Sequence, residues 1–131
     1  MRRWCGIWRC LMSRNTGFSP KVREMILERA GGMCEGMVTE ECTSRIEAIH
    51  HRKPRKMGGS KRPDINAASN GLALCADCHD FIESNRAYAR SRGLLISQHS
   101  SEPVSCVGVW RRGVWVLLTD AGGVVGQAVP F

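Results

Sequence analysis

The sequence predicts a small α+β fold: a central unit of two short strands and one helix, with a helix before it, a β-hairpin after it, and a four-cysteine staple. Three observations carry this. Ser19-Pro20 opens a helical apolar pattern through Ala30. Two short alternating runs, RIEAIHH at 45–51 and Leu72/Leu74 after Asn70-Gly71, read as strands. Cys34, Cys42, Cys75 and Cys78 fall as two pairs on either side of the first strand.

At 131 residues the chain has the size of one domain. It divides into a leader at 1–17, a central domain at 18–98 and a C-terminal hairpin extension at 99–131. Lys and Arg outnumber Asp and Glu by 19 to 12, giving a net charge of +7, which favours a polyanionic partner, in practice nucleic acid.

The leader scatters Trp4, Trp8, Cys5 and Cys10 without a period and is expected to be unstructured. Cys5 and Cys10 have the spacing of a zinc half-site, but no pair is spare to complete it. MSRNTGFSP, from Met12, would also make an ordinary polar beginning. MRRWCGIWRCLM starts basic but is broken by Arg9, and neither an apolar run nor a small-residue cleavage site follows, so it is not a signal peptide. No stretch approaches the roughly 20 apolar residues of a membrane span. The expected compartment is the cytoplasm, where clustered cysteines mean metal more often than disulfide.

In the first helix, Ser19 is the N-cap, Val22, Met25, Ile26 and Ala30 recur at helical spacing, and Gly31-Gly32 ends it. Cys34 and Cys42 flank the polar loop EGMVTEE, too wide for a tight knuckle on their own. With Cys75 and Cys78 they supply four thiolates, enough to close a tetrahedral structural Zn²⁺ site in a domain with few aromatics. The alternative is four free buried cysteines.

The first strand ends in His50-His51. Arg52, Lys53, Arg55, Lys56, Lys61 and Arg62 follow, broken by Pro54 and Gly58-Gly59 and with no acid among them: a cationic loop assigned to nucleic-acid phosphates. Asn70-Gly71 is a tight-turn dipeptide that would hairpin the second strand onto the first. A helix then runs from the C-x-x-C-H segment to Gly93, with His79 and Glu83 on one face and Arg86, Arg90 and Arg92 toward its end. LLIS at 94–97 reads as a strand, and His99 and Cys106 as unpartnered. Beyond them come two or three strands turned at Arg112-Gly113 and Gly122-Gly123. Trp110 and Trp115 are expected to pack on the core; the alternative stacks them, with Arg111 and Arg112, on nucleic acid.

A strand-end His pair, an Asn and a helix-borne His can converge on one divalent ion, leaving an imidazole to take a proton. Among cations, that chemistry is metal-assisted hydrolysis of a phosphodiester.

The order His50-His51, Asn70, His79, framed by Cys34, Cys42 and LCADCH, resembles the HNH endonuclease family in its zinc-stapled branch. Pro54, Gly58-Gly59 and the N-x-x-x-L-C-x-x-C-H spacing match it as well, over about residues 18 to 98. The resemblance implies a ββα-metal fold and hydrolysis of DNA, by nicking or double-strand cleavage, with a catalytic Mg²⁺, Mn²⁺, Ni²⁺ or Zn²⁺. It implies that His51 is the general base, His50 and His79 are ligands of the catalytic ion, and Asn70 orients the base-bearing loop. Glu83 stands where some relatives offer a further ligand. An exchange of the His50 and His51 roles stays open, as does His79 replacing a cysteine on zinc. The layout is also similar to small phage HNH proteins, some of which work beside the packaging terminase; the compartment would then be the host cytoplasm. The rival function is a non-catalytic, zinc-stapled DNA-binding protein.

Overall fold

A computed structural model describes residues 17–54 and 63–126. Cys5, Cys10, the leader tryptophans and the cations Arg55, Lys56, Lys61 and Arg62 lie outside the described residues.

Helix α1 spans Pro20–Ala30. The Ser19 side chain accepts from the Val22 N–H, and Gly31, at φ 64°, turns the chain left-handed to close the far end. Its inner face buries Ile26, Leu27 and Ala30.

Strands β1 (Ala48–His51) and β2 (Gly71–Leu74) pair antiparallel, with Ala48 opposite Leu74 and His51 opposite Gly71. Asn70-Gly71 is not the hairpin turn that its sequence suggests. Gly71 has φ −106° and is already strand, and the connection is the whole of 52–70, including 3-10 turns at Pro63–Asn66 and Ala68–Asn70. Gly71 is needed for space: a Cβ there would lie 2.4 Å from Ile26 Cδ1, where α1 crosses the strand.

The expected single helix is two. Helix α2 covers Ala76–Ser84 and α3 covers Arg86–Ser91, parted at Asn85, whose φ −127° and ψ 59° are not helical. Ser and Asn hold a helix poorly because their side chains compete for backbone groups, and Asn85 Nδ2 donates to the Phe81 carbonyl at 2.9 Å. LLIS is not a strand either. Leu94, Leu95 and Ile96 are buried, and the Leu94 and Leu95 N–H groups turn back onto the Ala89 carbonyl.

Of the two or three strands expected in the C-terminal segment, three form: β3 (Val109–Arg111), β4 (Val114–Leu118) and β5 (Val124–Gly126) make a three-stranded antiparallel sheet in that order, one more than a hairpin. Arg112 and Gly113, at φ 52° and 79°, make the two-residue turn that suits strand twist. Val109, Val116 and Leu118 join Leu72, Leu74, Ile82, Leu94 and three of the four staple cysteines in one buried cluster, with Cys42 packed against it.

Glu35 ties these parts together. It is fully buried, accepts from Arg29 Nε and Nη2 and from Arg111 Nε, each at 2.8 Å, and takes the Ala73 N–H at 3.0 Å. One carboxylate thus joins α1, β2 and β3. Among the described residues no helix is long and apolar enough to cross a membrane.

Candidate metal centres

Two groups of donors lie on and around the start of α2. In the first, the sulfurs of Cys34, Cys42, Cys75 and Cys78 all lie within 4.8 Å of one another. Cys75 is the N-cap of α2 and Cys78 sits in its first turn; Cys34 and Cys42 come from the loop after α1. Backbone N–H groups aim at the sulfurs: Cys78 N at Cys75 (3.3 Å), Val38 N at Cys78 (3.4 Å) and Ser44 N at Cys42 (3.4 Å). Burial pushes the Cys42 and Cys78 thiols up against the Ser44 and Val38 N–H groups, and Cys34 and Cys75 add to the rise in both. Burial also acts against Cys75, but hydrogen bonds from Cys78, Thr43 and Cys42 bring it down to about 7. Four thiolates this close repel one another unless a cation lies among them, so the cluster can hold a metal ion in an all-sulfur set of the kind zinc takes.

The second group is His50, His79 and Glu83, whose donor atoms also fall within 4.8 Å of one another. His50 stands on β1; His79 and Glu83 stand one turn apart on α2. His50 is buried, and its Nε2 lies 3.0 Å from the Leu94 carbonyl oxygen. A carbonyl can only accept, so Nε2 carries the proton and Nδ1 presents a lone pair. That Nδ1 faces Glu83 Oε2 at 3.8 Å, too far for a hydrogen bond. Burial, opposed by the Leu94 bond and aided by the neighbouring histidines, holds His50 down at about 4, so it is neutral and the contact is no ion pair. Two lone pairs turned toward each other are the arrangement that a shared cation resolves. Leu94 supplies the outer bond by which proteins fix the tautomer of a metal-binding histidine. The residues present therefore fit a divalent ion. His79 groups here, not with the sulfurs.

An open cleft of about 380 Å³ covers this group, lined by His50, His51, Pro54, His79, Glu83 and Arg86 over Ile49. His51 is half-buried at its edge. Its ring stacks on Phe18, centroids 4.1 Å apart and planes 14° from parallel, and its Nε2 lies 3.1 Å from Asn66 Oδ1. Neither partner was legible as such: Phe18 precedes α1, and Asn66 lies in the loop. Asn70 is not in the cleft. It is fully buried behind it, accepting the Lys53 N–H (2.8 Å) and donating to the carbonyls of Ile65 (2.7 Å) and Lys53 (3.1 Å). These bonds pin the chain leaving β1 to the loop that returns to β2.

Arg52 and Lys53 correct the expectation of a solvated phosphate-facing loop, for both are buried. The Arg52 guanidinium donates to the carbonyls of Gly93, Ser69, Val107 and Gly108, satisfying backbone that converges from three segments. Lys53 Nζ donates to the Ser100 carbonyl. Arg111 and Arg112 are likewise engaged inward: Arg111 on Glu35, Arg112 on the carbonyls of Ala30, Met33 and Cys34 at the end of α1. Trp110 and Trp115 meet edge to face at 5.6 Å, with Arg92 over Trp110.

No protein-family model, curated protein or solved structure matches the chain.

Proposed function

We propose that the chain is a metal-dependent HNH-type endonuclease that hydrolyses DNA phosphodiester bonds. The observation that carries the reading is the convergence of His50, His79 and Glu83 on one open cleft with His51 at its edge, apart from the four-sulfur group. Two antiparallel strands followed at once by the helix bearing His79 form the strand–strand–helix unit that the HNH resemblance implies. The four sulfurs would hold structural Zn²⁺.

When bound in the cleft, Mg²⁺, Mn²⁺, Ni²⁺ or Zn²⁺ supplies a Lewis acid for the phosphate and leaving oxygens. His50, His79 and Glu83 would hold it. His51 takes the proton of the attacking water as the water oxygen bonds to phosphorus; the ester P–O bond breaks with its electron pair on the leaving oxygen, which takes a proton from solvent. Asn66, accepting from Nε2, directs the basic lone pair of His51 to Nδ1, and Phe18 holds the ring plane. Asn70 positions the segment after His51 from behind. The burial of His50 against Leu94, with His51 on the cleft edge, favours His50 as ligand and His51 as base over the exchanged roles.

Plasmid nicking with Mg²⁺, Mn²⁺ or Ni²⁺ tests this, comparing wild type with His51→Ala. Nicked or linear product from the wild type and at least about 100-fold less from the variant is the expected result. Supercoiled DNA left intact under every ion, yet bound, would leave the non-catalytic zinc-stapled binding protein as the reading. A change of products when a phage terminase is added would place the activity in DNA packaging.

A further inference from the structure

Among the described residues lining the cleft, Arg86 is the one polar side chain that neither the metal groups nor the base assignment uses. It is the first residue of α3, 44% exposed, and among the described residues its hydrogen bonding is confined to one contact: Nη1 donates to Glu83 Oε1 at 2.7 Å. The other Glu83 oxygen, Oε2, faces His50 Nδ1. The carboxylate is therefore shared, one oxygen toward the donor group and the other on a guanidinium. A guanidinium has five N–H donors in a planar fork, so four remain after the Glu83 bond. They belong to a group held at the edge of the space where a phosphate would meet the ion. Arg86 stands three residues after Glu83, just past the break at Asn85, and the two side chains meet across it. The other cations expected near the site do not compete among the described residues, since Arg52 and Lys53 point inward.

We infer that Arg86 is a catalytic residue that donates to a non-bridging oxygen of the scissile phosphate, with Glu83 aiming its fork. The inference rests on the phosphodiesterase reading above. In the reaction Arg86 gives up no proton; it stays charged and offsets the negative charge that gathers on the phosphoryl oxygens as water attacks. A planar fork matches two oxygens of a phosphate, which an ammonium cannot do, so Lys should be a poor replacement.

The test uses full-length zinc-loaded protein, with bis(4-nitrophenyl) phosphate as a minimal phosphodiester and plasmid as DNA. Arg86→Ala, Arg86→Lys and the neighbouring Arg90→Ala are compared. Arg90 is exposed one turn along α3, carries the same charge and does not line the cleft. The expected loss in kcat for Arg86→Ala is about 100-fold or more on both substrates. Arg86→Lys should recover only part of it, and millimolar guanidinium chloride should restore some activity to Arg86→Ala. Arg90→Ala should keep its kcat. Mn²⁺ affinity, titrated separately, should be equal or tighter in Arg86→Ala, because a cation is removed beside a ligand carboxylate. A wild type inert toward both substrates under every ion removes the phosphodiesterase reading and this role with it. An active wild type with an equally active Arg86→Ala removes the role alone. A loss that follows weakened Mn²⁺ binding, or that appears on plasmid but not on the small diester, overturns contact with the scissile phosphate.

Discussion

Replacing Glu35 by Gln should unfold more of this protein's stability than any change in the cleft. The carboxylate is fully buried, and each oxygen accepts two hydrogen bonds: Oε2 from Arg29 Nε and Arg111 Nε, Oε1 from Arg29 Nη2 and the Ala73 N–H. In either orientation Gln turns an NH₂ toward two donors, so two bonds are lost and two like dipoles meet. It also leaves the Arg29 guanidinium, 2% exposed, without its counter-charge. Breaking a buried pair from one side costs about 3–5 kcal/mol. With a urea slope of about 2 kcal/mol per molar, the midpoint should fall by roughly 2 M. Urea unfolding of the zinc-loaded protein, followed by circular dichroism, reads this directly. Glu28→Gln, on the exposed side of α1, serves as the control and should stay within about 0.5 kcal/mol. A loss of less than about 1 kcal/mol for Glu35→Gln would refute the keystone role. The pH dependence gives a second check. Burial pushes the Glu35 carboxyl up, but Arg29, the Ala73 N–H and Arg111 together hold it below the usual carboxylate range. A depressed folded value stabilises above the unfolded carboxylate pKa, about 4.3, and that contribution is lost as pH falls through the folded value. The gap between wild type and variant should therefore be level near neutrality and close only in acid.

Three further outcomes follow from the geometry. Metal analysis should find one tightly held Zn²⁺ per chain, and Cys75→Ala should lose it together with cooperative unfolding; a zinc-free wild type that still folds would remove the staple. Asn70→Asp sets a carboxylate oxygen against the Ile65 and Lys53 carbonyls, so it should cost about 2–4 kcal/mol in urea unfolding and slow nicking; a variant as stable as wild type would show that the two Nδ2 bonds do not hold the loop. Arg52→Met orphans the four carbonyls its guanidinium serves and should cost about 3 kcal/mol or more, while the salt slope of DNA binding stays unchanged; a slope reduced by about one would return Arg52 to the phosphate interface.

What could be read from the sequence was what neighbours along the chain decide. Ser19-Pro20 and Gly31 act within a turn of their own position, and α1 begins and ends where they say. The pairing of Cys34 and Cys42 with Cys75 and Cys78 was legible from two spaced cysteine pairs, and the grouping of His50 with His79 and Glu83 from the HNH resemblance. The break before Arg86 had a local signal in Ser84-Asn85 that the strong apolar pattern of the helix masked. Arg52 had none. Beside Lys53 and Arg55 it reads as one more solvated charge, and only the meeting of carbonyls from residues 69, 93, 107 and 108 gives it a reason to be buried. Glu35 is the same case: an acid in a polar loop whose partners stand 6 and 76 residues away. Asn70-Gly71 misled because the dipeptide favours a turn by local energetics, while the ladder with His51 and the approach of α1 impose strand geometry.

The bond from His50 to the Leu94 carbonyl bears on how far this protein can be shortened. The Leu94 segment is held by Ile96 N–H on the Arg52 carbonyl, and Arg52 in turn grips the carbonyls of Val107 and Gly108 at the entry to β3. A fragment ending at residue 98 would keep every cysteine and histidine of both donor groups. It would nevertheless lose two of the four anchors of Arg52, the Arg111 contact on Glu35, and Val109, Val116 and Leu118 from the core. Both donor groups fall within one continuous stretch of chain, but the contacts that hold His50 and Arg52 in place do not, so a cut where the motif ends should cost stability as well as length.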